Sequence, residues 1–367
     1  MWRTPGPCVS ATHFHTYAQT HLMEREHKLG VPLAKQVTMD DTRGDEPTEV
    51  AEPQSSRLVW TAERNAYTLS ASAVETNSVA DLRESLSLAQ EFLPKFDTDY
   101  IQFRDEVFSS VLSIHSLPLL TYMLDNEGVP ISAVTPNSVF SWASKPLIEV
   151  LVTRGWDVNA QDNSAFAGKR LIDYLIRTRY GKEDLARWLV EEKGAAVDGG
   201  QDVPNHSRHA QPPPILETCA AFGTVSMLKF LEGKGAGPSR RMLHVAAEVA
   251  AGRGADPDSD HPAQGPGADA KDASVEMLRY LVDERGLDVN GIDSGAPPGL
   301  ANTSWGTPLC YAARCRDGAP VVRWLLKKGA DPSIKRPHSS MDALACAREA
   351  GCDEVLNVLE DWQRTRN

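Results

Sequence analysis

Few residues in this chain are placed to do chemistry. His13, His15, His21 and His27 crowd the start of the sequence, and His206 and His209 lie in a Pro-rich stretch. Imidazoles at that density could hold zinc, but a metal site needs an ordered scaffold, and neither segment has the apolar periodicity to build one. Asp256, Asp258 and Asp260 alternate like the opening of a calcium loop, yet the required glycine and terminal glutamate are missing. Gly252-Arg253-Gly254 and Gly265-Pro266-Gly267 follow no strand pattern and carry no Gly-Lys-Ser/Thr, so a phosphate cradle is not expected. There is no nucleophile elbow and no HExxH pair. The six cysteines include no CxxC pair. Cys310 with Cys315, and Cys346 with Cys352, are five and six residues apart, spacings that put the thiols on different helix faces. They read as reduced, buried filler. The expectation is a protein with no catalytic residues, no metal and no cofactor.

The elements around these residues are more informative. Residues 305–333 read WGTPLCYAARCRDGAPVVRWLLKKGADPS. Thr307-Pro308-Leu309 is a helix start, with a capping hydroxyl and a proline in the first turn. Ala312 and Ala313 allow a second helix to approach closely. Val321, Val322, Leu325 and Leu326 form one apolar stripe. Gly329 stops the helix and Asp331-Pro332 opens a turn. One such helix pair cannot bury its stripe alone and needs stacked neighbours. Candidates for those neighbours stand at 214–238, at LHVAA (243–247) with 274–290, and at 341–359. Second-helix patterns recur at 146–159 and 183–198, and LTYMLDNEGVPI (120–131) is a worn version.

This pattern resembles the ankyrin repeat. The residues that carry the resemblance are Thr307-Pro308-Leu309 with Ala312-Ala313, Leu243-His244-Val245-Ala246-Ala247, and the turns Asp157-Val158-Asn159 and Asp288-Val289-Asn290. It covers roughly 135–363, in about six units. It implies an all-α solenoid of stacked helix-turn-helix units, capped and without catalysis of its own. The chain departs from the family's repeat of about 33 residues, because its stop glycines lie at irregular, mostly longer intervals. The excess falls in insertions at 201–214, 252–273 and 291–304, all rich in Gly, Pro, Asp and Ala. These are expected to be solvated and irregular. Residues 1–76 are expected to be a disordered tail. Residues 77–132 should form capping helices and a degenerate first repeat, with Ser78 capping a helix that buries Leu82, Leu86, Ala89 and Leu93. The array proper is placed at 133–363.

The net charge of −12 over 367 residues argues against a nucleic-acid partner. No apolar run is long enough to span a bilayer, and no secretory signal is expected. The expectation is a monomer in the cytoplasm or nucleus that holds another protein, one with a basic surface, on its concave face and turn tips. The residues expected at that face are Trp156, Asp157, Asn159, Asp162, Glu217, Phe222, His244, Glu248, Asp288, Asn290, Trp305, Tyr311 and Arg314. Trp188 and Trp324 share a register and should be buried between repeats. The competing expectation is a regulatory subunit or enzyme whose activity lies in the N-terminal third.

Overall fold

Helix starts, apolar stripes and glycine stops are realised as helices joined by turns, with no strand among the described residues. The computed structural model describes residues 54–93, 98–162, 169–177, 181–197, 214–237, 239–259, 261–264, 267–293, 306–336 and 340–366. Within them no helix is long and apolar enough to cross a membrane. The chain divides into two units, residues 1–156 and 157–367.

The first unit holds α1 (Gln54–Thr76), α2 (Val79–Phe92), α3 (Thr98–Ser113), α4 (Leu117–Asn126), α5 (Pro136–Val139) and α6 (Lys145–Thr153). The helix α1 corrects the expectation of an unstructured tail reaching residue 76. Its buried stripe is Ala62, Ala66, Ser70 and Ala73, with Val74 buried beside it. The stripe residues sit at helical steps but are small and weakly hydrophobic, so the sequence pattern does not announce them. They make a flat surface for α2, and Ser85 Oγ donates across it to the Ala66 carbonyl at 2.7 Å. The tail before residue 54 lies outside the described residues. The helix α2 agrees with expectation: Ser78 accepts from the Asp81 amide, and Leu82, Leu86, Ala89 and Leu93 are buried. Thr135 and Ser138 form a reciprocal capping box on α5, which lasts one turn.

The second unit is a series of helix pairs. They are α7 (Leu171–Leu175) with α8 (Glu183–Glu192), α9 (Ile215–Phe222) with α10 (Val225–Gly233), α11 (Met242–Gly252) with α12 (Ala268–Arg279), α13 (Pro308–Ala313) with α14 (Ala319–Lys327), and α15 (Ala343–Ala350) with α16 (Asp353–Arg366). The first helices pack in a row, α9 on α11, α11 on α13 and α13 on α15. Alanines make that spacing possible: Ala246, Ala247, Ala250, Ala251, Ala312 and Ala313 are all buried. The second helices bury the larger side chains. Trp188 and Trp324 are buried at matching positions, as their register requires, and Lys193 and Lys328 lie over their rings at 4.8 and 5.3 Å.

Helix ends repeat one device. After Gly329, with φ of +94°, the Ala330 amide returns to the Leu325 carbonyl at 3.0 Å. Gly155, Gly235 and Gly351 are followed by the same bond. So is Gly254, where the Ala255 amide donates to the Ala250 carbonyl at 3.0 Å. Gly254, inside the stretch expected to be an insertion, is thus a helix stop, and Gly254-Ala255-Asp256-Pro257 duplicates Gly329-Ala330-Asp331-Pro332.

The segment 252–273 is thus less irregular than expected. The helix α12 begins inside it, at Ala268, and Arg253 donates to the Ala270 carbonyl and to Ser274 Oγ. Arg279 holds the turn beyond Gly254 by donating to the carbonyls of Pro257 and Ser259. An arginine on the receiving helix therefore gathers a Gly/Pro-rich stretch that has no Val, Leu or Ile of its own. The other two insertions lie outside the described residues except for Pro214 and Gly291–Asp293.

Gly318, in the turn between α13 and α14, tests how close the packing is. A Cβ there would meet the Ala312 carbonyl oxygen at 2.5 Å and Ala251 Cβ, on the neighbouring unit, at 3.3 Å. Gly318→Ala is expected to lower stability by about 1–3 kcal/mol, read as a drop in the urea midpoint. An unchanged midpoint would mean that the turn can relax away from α11.

Candidate functional site

Two segments of the second unit share a six-residue pattern, Asp157-Val158-Asn159-Ala160-Gln161-Asp162 and Asp288-Val289-Asn290-Gly291-Ile292-Asp293. Each performs the same three tasks. The first aspartate closes its own turn: Asp157 accepts from the Asn159 amide and Asp288 from the Asn290 amide, both at 2.8 Å. The asparagine reaches to the next helix stop. Asn159 Nδ2 donates to the Gly194 carbonyl while its Oδ1 accepts from the Ala196 amide; Asn290 does likewise with Gly329 and Asp331. The last aspartate is buried and accepts the phenol of the following first helix, Asp162 from Tyr174 and Asp293 from Tyr311. Burial, with the carboxylate second, pushes both phenols well above their ordinary range. These residues join one repeat to the next.

Around Tyr311 the polar side chains form a network. Arg241 Nη2 donates to the Tyr311 oxygen at 3.2 Å, and its guanidinium lies 3.9 Å from Asp293. His244 packs edge-on against the Tyr311 ring and donates to the Gly291 carbonyl at 2.9 Å. Burial holds the His244 imidazole below its usual pKa and so neutral. Glu217 is buried and accepts from Ser239 Oγ.

The row of first helices presents a second set. Counting from Leu216, Leu243, Leu309 and Ala343, the fifth and sixth following positions are Ala221-Phe222, Glu248-Val249, Arg314-Cys315 and Arg348-Glu349. Except for Ala221 these side chains are partly or fully exposed. Contacts run along the ladder: Cys315 Sγ lies 3.4 Å from the Glu248 carbonyl, and Arg314 pairs with Glu349 at 3.5 Å. Phe222 lies between two guanidinium groups, Arg177 at 4.3 Å and Arg253 at 5.8 Å. Glu248 differs from its neighbours. Its carboxylate makes no hydrogen bond or ion pair with any described residue, and burial pushes its pKa up, although Arg241 and Arg314 pull the other way. On α11 it stands with Val245 and Val249 on one half-exposed face.

The residues expected to touch a partner therefore separate. Phe222, Glu248 and Arg314 fall together on the ladder. Asp157 and Asp288 are exposed at turn tips but serve their own turns, and Asn159 and Asn290 are engaged in stitching. Asp162, Glu217, His244 and Tyr311 are buried and bonded within the stack. Trp156, in the first unit, is also buried, with its indole donating to the Val134 carbonyl at 2.8 Å, so it is not an exposed anchor. Trp305 lies outside the described residues. Asp293 and Tyr174 were missed. Aligning the two Asp-Val-Asn hexapeptides would have found both. No group of His, Cys, Asp or Glu among the described residues is arranged to hold a metal ion, and the five described cysteines are free thiols.

Stacked helix pairs joined by tight turns, with first helices in one row and second helices behind them, define a helical-repeat protein. Residues 306–336, which run from Gly306 through α13 and α14 to Arg336, match the family described as Ankyrin repeat. That stretch is therefore an ankyrin repeat, in general a protein–protein interaction module, set within an all-helical repeat array. No curated protein matches the sequence.

Proposed function

We propose that this protein is a non-enzymatic scaffold or adaptor, monomeric and resident in the cytoplasm or nucleus, that holds a partner protein on the exposed ladder of its first helices. Glu248 carries the reading. A half-buried carboxylate between two valines, unpaired among the described residues, is suited to receive a basic or hydrogen-bond-donating group from outside. Val245, Val249 and Phe222 supply apolar area beside it, and Arg314, Arg348 and Glu349 continue the strip with mixed charge. The free thiols agree with a reducing compartment.

The charge state of Glu248 gives a test that needs no partner. A carboxyl whose folded pKa is raised opposes folding once ionised. The stability of its protonated form is fully present below the unfolded value near 4.5 and is lost as pH rises through the folded one. Glu248→Gln is therefore expected to raise stability at pH 7 by up to about 1 kcal/mol and to show no gain at pH 3. A loss of stability at pH 7 would mean that the carboxylate already has a partner within the fold. For binding, full-length protein serves as bait in affinity capture, beside Glu248→Lys and Val245→Ser/Val249→Ser variants with unchanged circular dichroism. The proposal expects a protein retained by the parent and lost by both variants. Equal retention by all three would place the binding surface elsewhere.

A further inference from the structure

The hexapeptide turns are alike in geometry and differ in one respect that matters chemically. Asn159 is followed by Ala160, and Asn290 by Gly291. An asparagine followed by glycine is open to attack on its side chain, because no Cβ obstructs the approach of the next backbone nitrogen. We infer that Asn290 is a latent deamidation site, guarded by the stacking of the 288–293 turn on the 329–331 turn and released when that contact opens.

Three bonds guard it. Asn290 Nδ2 donates to the Gly329 carbonyl at 3.1 Å, and Oδ1 accepts from the Asp331 amide at 2.8 Å. Together they fix the side-chain amide toward the next repeat. The Gly291 amide, which would be the nucleophile, donates to the Asp288 carbonyl at 3.1 Å. Reaction requires the Gly291 nitrogen to bond to Asn290 Cγ. The Cγ–Nδ2 bond then breaks, the proton lost by the Gly291 amide goes to the departing nitrogen, and ammonia leaves. Water opens the resulting five-membered imide at either carbonyl, which leaves aspartate or isoaspartate at 290. No electrons change hands and water is the only co-reactant. The product lacks the donor that meets the Gly329 carbonyl, and it sets a carboxylate against that oxygen. In the isoaspartate form the backbone is also one carbon longer, so the Asp288 turn no longer closes. An opening of the stack is thereby recorded in the covalent structure and made easier to repeat.

The same arrangement at Asn159, with bonds to Gly194 and Ala196 and with Ala160 donating to the Asp157 carbonyl at 2.9 Å, is an internal control. Full-length protein is held at pH 8 and 37 °C, in buffer and in concentrated urea, and position 290 is followed by peptide mass spectrometry with isoaspartate detection. In urea, Asn290 is expected to convert at least about tenfold faster than Asn159. In buffer its conversion is expected to fall at least about tenfold, as it does for reactions that require local opening. Ala160→Gly should create a second site with the same dependence on folding. Equal rates at 290 in buffer and urea, or a rate in urea no faster than at 159, would overturn the inference. So would an Ala160→Gly chain that converts at 159 as fast folded as unfolded.

Discussion

Asp293→Ala is expected to lower the stability of the second unit by about 2–4 kcal/mol, since two buried donors lose their acceptor at about 1–2 kcal/mol each. The donors are the Tyr311 hydroxyl and the Gly306 amide. Arg241 keeps the Tyr311 oxygen but loses the carboxylate 3.9 Å away. Because Tyr311 sits on α13 and Arg241 caps α11, the loss should loosen the row on both sides of the turn. Tyr311→Phe is the graded control. It removes one hydroxyl from a buried ring and is expected to cost about 1 kcal/mol. Urea unfolding followed by circular dichroism reads both. If Asp293→Ala costs no more than Tyr311→Phe, the carboxylate is not the anchor described here.

Arg170→Met is expected to cost about 3–5 kcal/mol, the usual penalty when one member of a buried ion pair is left alone. Arg170 and Asp173 are each 3% exposed at the side chain, with 3.3 Å between Nε and Oδ2. Asp173 also accepts from the Arg170 amide at 2.8 Å, and Arg170 Nη1 donates to the Ala196 carbonyl at 2.7 Å. The pair thus closes the start of α7 and ties it to the stop that follows α8. The double change Arg170→Met/Asp173→Leu removes both charges and should recover most of the loss. A double variant as unstable as the single one would show that the bond to Ala196, rather than the stranded carboxylate, sets the cost.

The repeats were legible because their signals are local. A Thr-Pro-Leu start, an alanine pair and a Gly-Ala-Asp-Pro stop each act within a few residues, so α13 and α14 follow from residues 307–332 without knowledge of the rest. The burial of Trp188 and Trp324 was legible for a related reason, since two helices of one register must turn the same face inward. The helix α1 was not legible. Its stripe of alanine and serine becomes a packing surface only when α2 lies on it. The fate of Trp156 was hidden for the same reason, because its burial depends on the Val134 carbonyl waiting to accept its indole.

The candidate face shows the division most clearly. Sequence alone determined that Phe222, Glu248 and Arg314 belong to first helices, that Asp157 and Asp288 open turns, and that the chain is an all-α stack of helix pairs. It could not distinguish a polar residue spent inside the stack from one left for a partner. His244, Tyr311 and Glu217 look as available as Glu248 when written in a line. Only the tertiary structure pairs His244 with the Gly291 carbonyl, Tyr311 with Asp293 and Glu217 with Ser239, and leaves Glu248, among the described residues, unpaired between Val245 and Val249. Helix and turn formation depends on neighbours in the chain, whereas the satisfaction of a buried polar group depends on atoms brought from tens of residues away, and these arrive only once the repeats have stacked.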